Sequence, residues 1–304
     1  MEMLHYDFMQ RAFFAGALIA LIASVLGVYL LLRRQALMAD MLSHVSLAGI
    51  AAGALLHWNP TATGFAVALA GSVAVEWVRR TYKTYSEISI AIIMIGGLSS
   101  AAILMSRSNA LNKSFSSYLF GSVVAVNRTE LILMAAAAAV GAVFFLLLRR
   151  PLYQLTFDED TAKTAGLPVK WLSMGFSVLT GMIVSAAMPI VGVLLVSSLI
   201  VLPASLAIRI APSFAAAVWI AMTVALGGVF AGLTASYAFS MPPGASIAMT
   251  LLLILLAGIG AQKAFVKLGK RIHRPRDRSE KESPSRIPRL SNKYSYMQSG
   301  GEEK

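Results

Sequence analysis

The sequence predicts an all-α fold: a polytopic transmembrane helical bundle of eight or nine spans with a short re-entrant or half-helix segment. Three observations carry this expectation. Hydrophobic residues fill 57% of the 304 positions and charged residues only 13%, against about 25% charged in a soluble domain. Apolar runs near the ~20 residues that cross ~30 Å of hydrocarbon as a helix recur from Arg11 to Phe265. Lys and Arg gather in alternate connections, as cytoplasmic loops do. The mean hydropathy of +0.71 agrees. The expected location is the cell membrane, as a multi-pass protein.

The elements follow in order. The first run, Ala12 to Leu32, is too long for a signal-peptide core and ends in Arg33-Arg34, not in a small-residue cleavage site. Candidate spans are 11–32, 36–56, 61–79, 88–106, 129–148, 170–188, 190–208, 213–235 and 244–265. Asn59-Pro60 starts the third span, with Asn as cap and Pro at the first helical position. Gly49 and Gly53 form a small-xxx-small pair on the second span, which permits close helix packing. Phe115 to Val126 is too short to cross. Nine crossings with the N-terminus outside put Arg33-Arg34, Arg79-Arg80-Lys83, Arg149-Arg150, Lys163, Lys170 and Arg209 in the cytoplasm. That count requires 107–128 to stay on the outer side, buried in protein, because lipid cannot satisfy irregular backbone. Eight crossings follow if two adjacent short segments form one broken helix. Met188-Pro189 and Met241-Pro242-Pro243-Gly244 interrupt apolar runs on the predicted outer side.

The chain is expected to divide into a membrane part, 1–268, and a basic cytoplasmic tail, 269–304. From Lys263 onward there are twelve Lys/Arg against five Asp/Glu, within a net charge of +12 for the chain. The tail's composition reads as disordered. Its charge is read as attraction to anionic headgroups and not as a nucleic-acid site. Cysteine is absent, which excludes disulfides, Cys metal sites and thiol catalysis.

Within the second span, Asp40 and His44 lie four residues apart in the run from Ala36 to Ile50. Positions i and i+4 share one helix face, and Ser43 lies beside them. A carboxylate at mid-bilayer depth costs about 2.5–3.5 kcal/mol, so it is a functional hypothesis by default. An oxygen and a nitrogen together suit a borderline divalent metal such as zinc or manganese. The other reading of the pair is a structural hydrogen bond inside the membrane. His57 beside Trp58 reads as interfacial, and His5 and His273 as bystanders. Glu76 and Glu87 read as charge partners of Arg79, Arg80 and Lys83, and the fifteen Met as packing. Between two spans, Phe157 to Pro168 reads as a short amphipathic cytoplasmic helix. Asp158 caps it, and Gly166 and Pro168 stop it.

Four stretches, taken in order, resemble the permease subunit of the zinc/manganese family of ABC importers over about residues 5 to 262. They are Arg33 to His44 with Gly49, then Tyr118-Leu119-Phe120-Gly121 with Val126, then Phe157 to Pro168, then Val191 to Ala204. The resemblance implies a type II ABC importer-like bundle. Two permease copies would work with two cytoplasmic ATP-binding subunits, supplied by an extracytoplasmic metal-binding protein. It implies metal coordination by Asp40 and His44. It implies ATPase coupling through Phe157, Asp158, Glu159, Ala165, Gly166 and Leu167. The implied cargo is zinc by local similarity, with manganese or iron as the alternative, and no tightly bound cofactor is expected. Before the Pro-Pro-Gly turn, the family's members usually carry Asp where this chain has Ser240, so the resemblance does not extend to a role for that carboxylate as a gate contact or an outer metal stop.

Other classes fit less well. A secondary metal transporter needs no ATPase, but such proteins often show inverted repeats and more intramembrane ionisable groups than this chain has. A membrane zinc protease needs His-Glu-x-x-His, which is missing, and no Gly-rich phosphate loop is present for ATP hydrolysis by this chain itself.

Overall fold

The computed structural model describes residues 7–82, 86–107, 118–122 and 128–272. Every regular element among them is a helix. In chain order these are α1 (Asp7–Leu32), α2 (Leu37–Leu55), α3 (Pro60–Thr81), α4 (Ser86–Ser106), α5 (Arg128–Leu147), α6 (Arg149–Phe157) and α7 (Glu159–Thr164). They continue as α8 (Val169–Val191), α9 (Val196–Ile210), α10 (Phe214–Phe239) and α11 (Pro243–Ile272). Residue contacts divide the chain into Met1–Gln262 and Lys263–Lys304. Beyond Ile272 the predicted tail lies outside the described residues, as do 108–117 and 123–127 of the predicted re-entrant segment.

Among the described residues, eight helices are long and apolar enough to cross a membrane, and α9 is a shorter apolar helix of 15 residues, about 22 Å long. The ends nevertheless alternate as nine passages require. Arg33 at the end of α1 donates to Ser173 Oγ near the start of α8, at 2.9 Å. Arg80 at the end of α3 donates to the Lys170 carbonyl, also at 2.9 Å. Arg209 at the end of α9 donates to Gln262 on α11, at 2.6 Å. These contacts define a basic end. At the opposite end, Thr61 on α3 donates to Glu130 on α5, at 3.4 Å.

α9 is short because its start is used for a different job. Gly192 has φ +86°, which ends α8 and turns the chain. The Val193 and Leu194 N–H groups then donate to the carbonyls of Tyr118 and Leu119, at 2.9 and 3.3 Å, and Ser122 N–H donates to Pro189 O at 3.0 Å. The 118–122 segment, helical at 118–120, thus lies on the α8–α9 junction, where Tyr118 O, Leu119 O and Ser122 N–H find protein partners. Gly121 permits this contact: a Cβ there would sit 2.0 Å from the Ile190 carbonyl oxygen.

Helix ends obey local chemistry. Asn59 Oδ1 accepts from the N–H groups of Thr61 and Ala62 at 3.1 and 3.2 Å, with Pro60 next in sequence. Ser213 Oγ caps α10 by accepting from Ala216 N–H. Ser240 is the left-handed C-cap of α10 at φ +53°.

Lipid gives helices no hydrophobic drive to associate, so close van der Waals contact must hold the bundle. The tightest packing surrounds α2. On α3, Gly64 faces Gly49 Cα, where a Cβ on Gly49 would come within 2.9 Å, and Gly53 faces Thr63. Val45 is gripped from two sides: a Cβ on Gly71 of α3 would lie 2.6 Å from Val45 Cγ1, and one on Gly97 of α4 would lie 3.0 Å from the Val45 backbone. Ser46 adds a polar link, donating to Gly64 O at 3.1 Å and pairing with Ser185 Oγ on α8 at 3.2 Å.

At the basic end, buried Glu76 gathers the charges. Its carboxylate accepts from Arg79 at 3.0 Å, Arg80 at 3.4 Å and Ser177 Oγ at 3.3 Å. Arg79 also donates to Ser173, and Arg33 lies over the Phe176 ring at 4.7 Å.

This packing yields a paired test on α2 and α4. Gly49→Ala should cost about 1–3 kcal/mol through overpacking, because its Cβ would meet Thr63 O at 2.8 Å. Gly96→Ala should be neutral or stabilise by up to about 1 kcal/mol, since nothing lies within 4 Å of its Cβ position. Thermal unfolding midpoints in detergent check both; equal shifts would contradict the close-packing account.

Candidate functional site

α2 begins after a tight turn. Arg34 adopts φ +57°, Gln35 N–H donates to Leu30 O at 2.8 Å, and the chain reverses within four residues. Asp40 therefore lies in the first turn of α2 and His44 in the second, about 5 and 10 Å from the helix start. The pair sits in the half of α2 nearer the basic end. The first turn suits a carboxylate, because the positive end of the helix dipole lies there.

The structure brings Asp40 and His44 onto one face. Oδ2 and Nε2 are 3.8 Å apart, and the side chains are 33% and 14% exposed. That distance is too long for a hydrogen bond. Two ligands each about 2.1 Å from one ion at a tetrahedral angle would lie about 3.4 Å apart, so a small rotamer change suffices. His44 Nδ1 is buried and meets no hydrogen-bond partner among the described residues. The pair is therefore not closed by a direct hydrogen bond between the two side chains.

The remaining candidates separate. Ser43 is fully buried and donates to Ala39 O at 2.9 Å, so its hydroxyl serves the helix and does not face the pair's ligand side. His57 takes φ +57° in the turn after α2, apart from Asp40 and His44 in sequence by more than three helical turns. Among the described residues no group of three or more His, Cys, Asp or Glu forms. Zinc usually takes four ligands, so one chain offers an incomplete shell.

What sequence reasoning missed is the seat of the pair. Val45, the residue after His44, is wedged between Gly71 and Gly97, and Ser46 is tied to α3 and α8. Helix rotation is thereby fixed, and with it the direction of Asp40 and His44. The glycines were visible in sequence, but their partners were not. The serines gave no signal, because a lone Ser in an apolar run has no readable partner.

The connection between α5 and α8 holds two helices where one was expected. Arg149-Arg150 was read as a basic loop after the span 129–148, but Arg149-Arg150-Pro151 starts a new helix, since Pro is tolerated in a first turn. Asp158 then caps α7: Oδ1 accepts from the N–H groups of Asp160 and Thr161, both at 3.0 Å, and Oδ2 accepts from Thr161 Oγ1. The Thr161 hydroxyl, and then its N–H, hold the Asp158 carboxyl below the usual carboxylate range. Gly166 closes the loop at φ +79°. Phe157, Glu159, Ala165 and Gly166 are exposed, whereas Leu167 is half-buried against the core. The loop also lies near the α1–α2 turn. Burial and Arg79 pull the Arg33 guanidinium down to about 10, while Glu76 and Glu159 of the loop oppose them. Arg33 stays charged at neutral pH.

Comparisons with known proteins agree with this architecture. A probable metal transport system membrane protein of Treponema pallidum is 31% identical, over 84% of this chain and 95% of that protein. A high-affinity zinc uptake system membrane protein of Haemophilus influenzae is 25% identical, over 80% and 93%. Other relatives are named for manganese and iron transport. A solved structure of PsaBC from Streptococcus pneumoniae in complex with Fab shares the fold, with a TM-score of 0.75 at 24% identity over 84% of this chain and 92% of that one. The pattern of the ABC 3 transport family matches residues 5–262. The chain belongs to that family, and is a membrane permease of a metal-ion ABC importer.

Proposed function

We propose that the transported ion is zinc, held in passage by Asp40 and His44, and that the energy comes from a separate cytoplasmic ATPase. The observation that carries this reading is the Asp40–His44 pair: an oxygen and a nitrogen donor 3.8 Å apart, on one face of a helix that is otherwise apolar and tightly packed. Two donors from one chain hold an ion loosely, and transport needs release as well as binding. A second permease copy would bring a second pair, and water can fill what remains. Manganese is the second reading, favoured by relatives named for it; imidazole suits zinc and carboxylate suits either metal. An extracytoplasmic metal-binding protein would deliver the ion to the end opposite the arginines.

The loop would meet the ATPase. Phe157, Asp158, Glu159, Ala165 and Gly166 form its outward side, while Leu167 anchors it to the bundle. Phe157 presents an exposed ring braced by Tyr153, with centroids 4.7 Å apart.

Uptake of radiolabelled zinc into vesicles holding the permease and its ATPase tests the metal site. Asp40→Ala and His44→Ala should each lower uptake by about 10–100-fold or more, since loss of even outer-shell groups costs that much at metal sites. Unchanged uptake in the double variant contradicts the site. Excess manganese should compete weakly; strong competition supports the second reading.

Two loop variants separate docking from folding. Asp158→Asn keeps a good N-cap and should keep ATP hydrolysis coupled to transport, whereas Asp158→Ala loses the cap and should uncouple them. Because the folded Asp158 is more acidic than an unfolded one, its contribution is present above the ordinary carboxylate pKa and is lost as pH falls through the lowered value. Coupling should therefore be flat with pH from 6 to 8 as far as this group is concerned. The ratio of ions moved to ATP hydrolysed is the readout; equal ratios in both variants would refute the role of the cap.

A further inference from the structure

We propose that a groove between α1, α5 and α10 is a binding site for one acyl chain of an anionic phospholipid, with Arg149 and Arg150 holding its headgroup. The groove has a volume of about 1150 Å³. Its floor is α1 from Leu18 to Tyr29, and its walls are α5 and the start of α10. Ala135, Ala138, Ala139 and Ala142 share one face of α5 and leave the width open. The lining is apolar along the helices and becomes polar only at the basic end, where Arg149, Arg150, Tyr153, Gln154 and Ser213 surround the mouth.

Length and charge together name the occupant. Leu18 to Tyr29 spans about 16 Å along the helix, close to half of the ~30 Å hydrocarbon core. The groove is therefore one leaflet deep and opens at the basic end. Arg149 and Arg150 are exposed, and among the described residues neither makes an ion pair with a carboxylate. Basic pockets between membrane helices on the cytoplasmic side suit anionic headgroups. A neutral protein surface would leave the two guanidiniums unmatched, and free phosphate would leave the apolar groove unfilled.

The site is separate from Asp40 and His44, so its test needs no transport measurement. Trp219 lines the groove and is 68% exposed. In full-length chain with Trp58, Trp77 and Trp171 changed to Phe, Trp219 reports on the groove by fluorescence. Vesicles of phosphatidylcholine are doped with phosphatidylglycerol brominated on its acyl chain, or with equally brominated phosphatidylcholine. Quenching should show roughly tenfold stronger apparent binding of the anionic lipid. The preference should vanish in Arg149→Gln/Arg150→Gln and persist in Arg149→Lys/Arg150→Lys, which keeps the charge and controls for folding. Inorganic phosphate at millimolar concentration should not displace the lipid. Equal quenching by both lipids overturns the proposal, because the groove is then filled by bulk lipid. Absence of quenching by either also overturns it, because protein then covers the groove. Loss of preference to phosphate alone overturns the acyl-chain part.

Discussion

The structure depends on how α2 is seated. Its neighbours approach through glycine, so Val45 is held between Gly71 and Gly97 and the backbones of α2 and α3 meet at Gly49 and Gly64. In lipid such contact replaces the hydrophobic drive that would orient a helix in water. A turn of one residue, about 100°, would carry Asp40 and His44 into this glycine wall, where a carboxylate has no partner. The seat therefore decides where the two donors point.

A second layer of order lies at the basic end. Glu76 is buried, and it pairs with both Arg79 and Arg80 while Arg33 and Arg79 share Ser173. The network joins the turn before α2 to α3 and α8, and Arg33 lies close enough to Glu159 of the α6–α8 connection to feel its charge. The helix with the candidate metal donors and the candidate ATPase-facing loop thus meet around one guanidinium.

Much of this was legible in the amino-acid sequence, for identifiable reasons. Apolar runs of helical length gave the long helices, Asn59-Pro60 gave the start of α3, and Asp158 gave the cap of α7. The i, i+4 spacing gave the shared face of Asp40 and His44. Length alone misjudged α9: an apolar run of nineteen residues, 190–208, was expected to be helical throughout, but Gly192 and the Tyr118–Leu119 carbonyls take its first residues for another contact. α6 was hidden because Arg149-Arg150-Pro151 has the composition of a loop. Ser46 and Ser185 were unreadable, since a hydrogen bond between residues 139 apart leaves no local trace.

The central claim is that His44 nitrogen and Asp40 oxygen share one ion. Electron–nuclear resonance on the assembled importer loaded with manganese, with histidine labelled by nitrogen-15, reads this directly. One imidazole nitrogen coupling for each chain, present in Asp40→Asn at weaker ion affinity and absent in His44→Gln, is the predicted result. A bound ion with no histidine coupling, or a coupling that survives His44→Gln, would contradict the account.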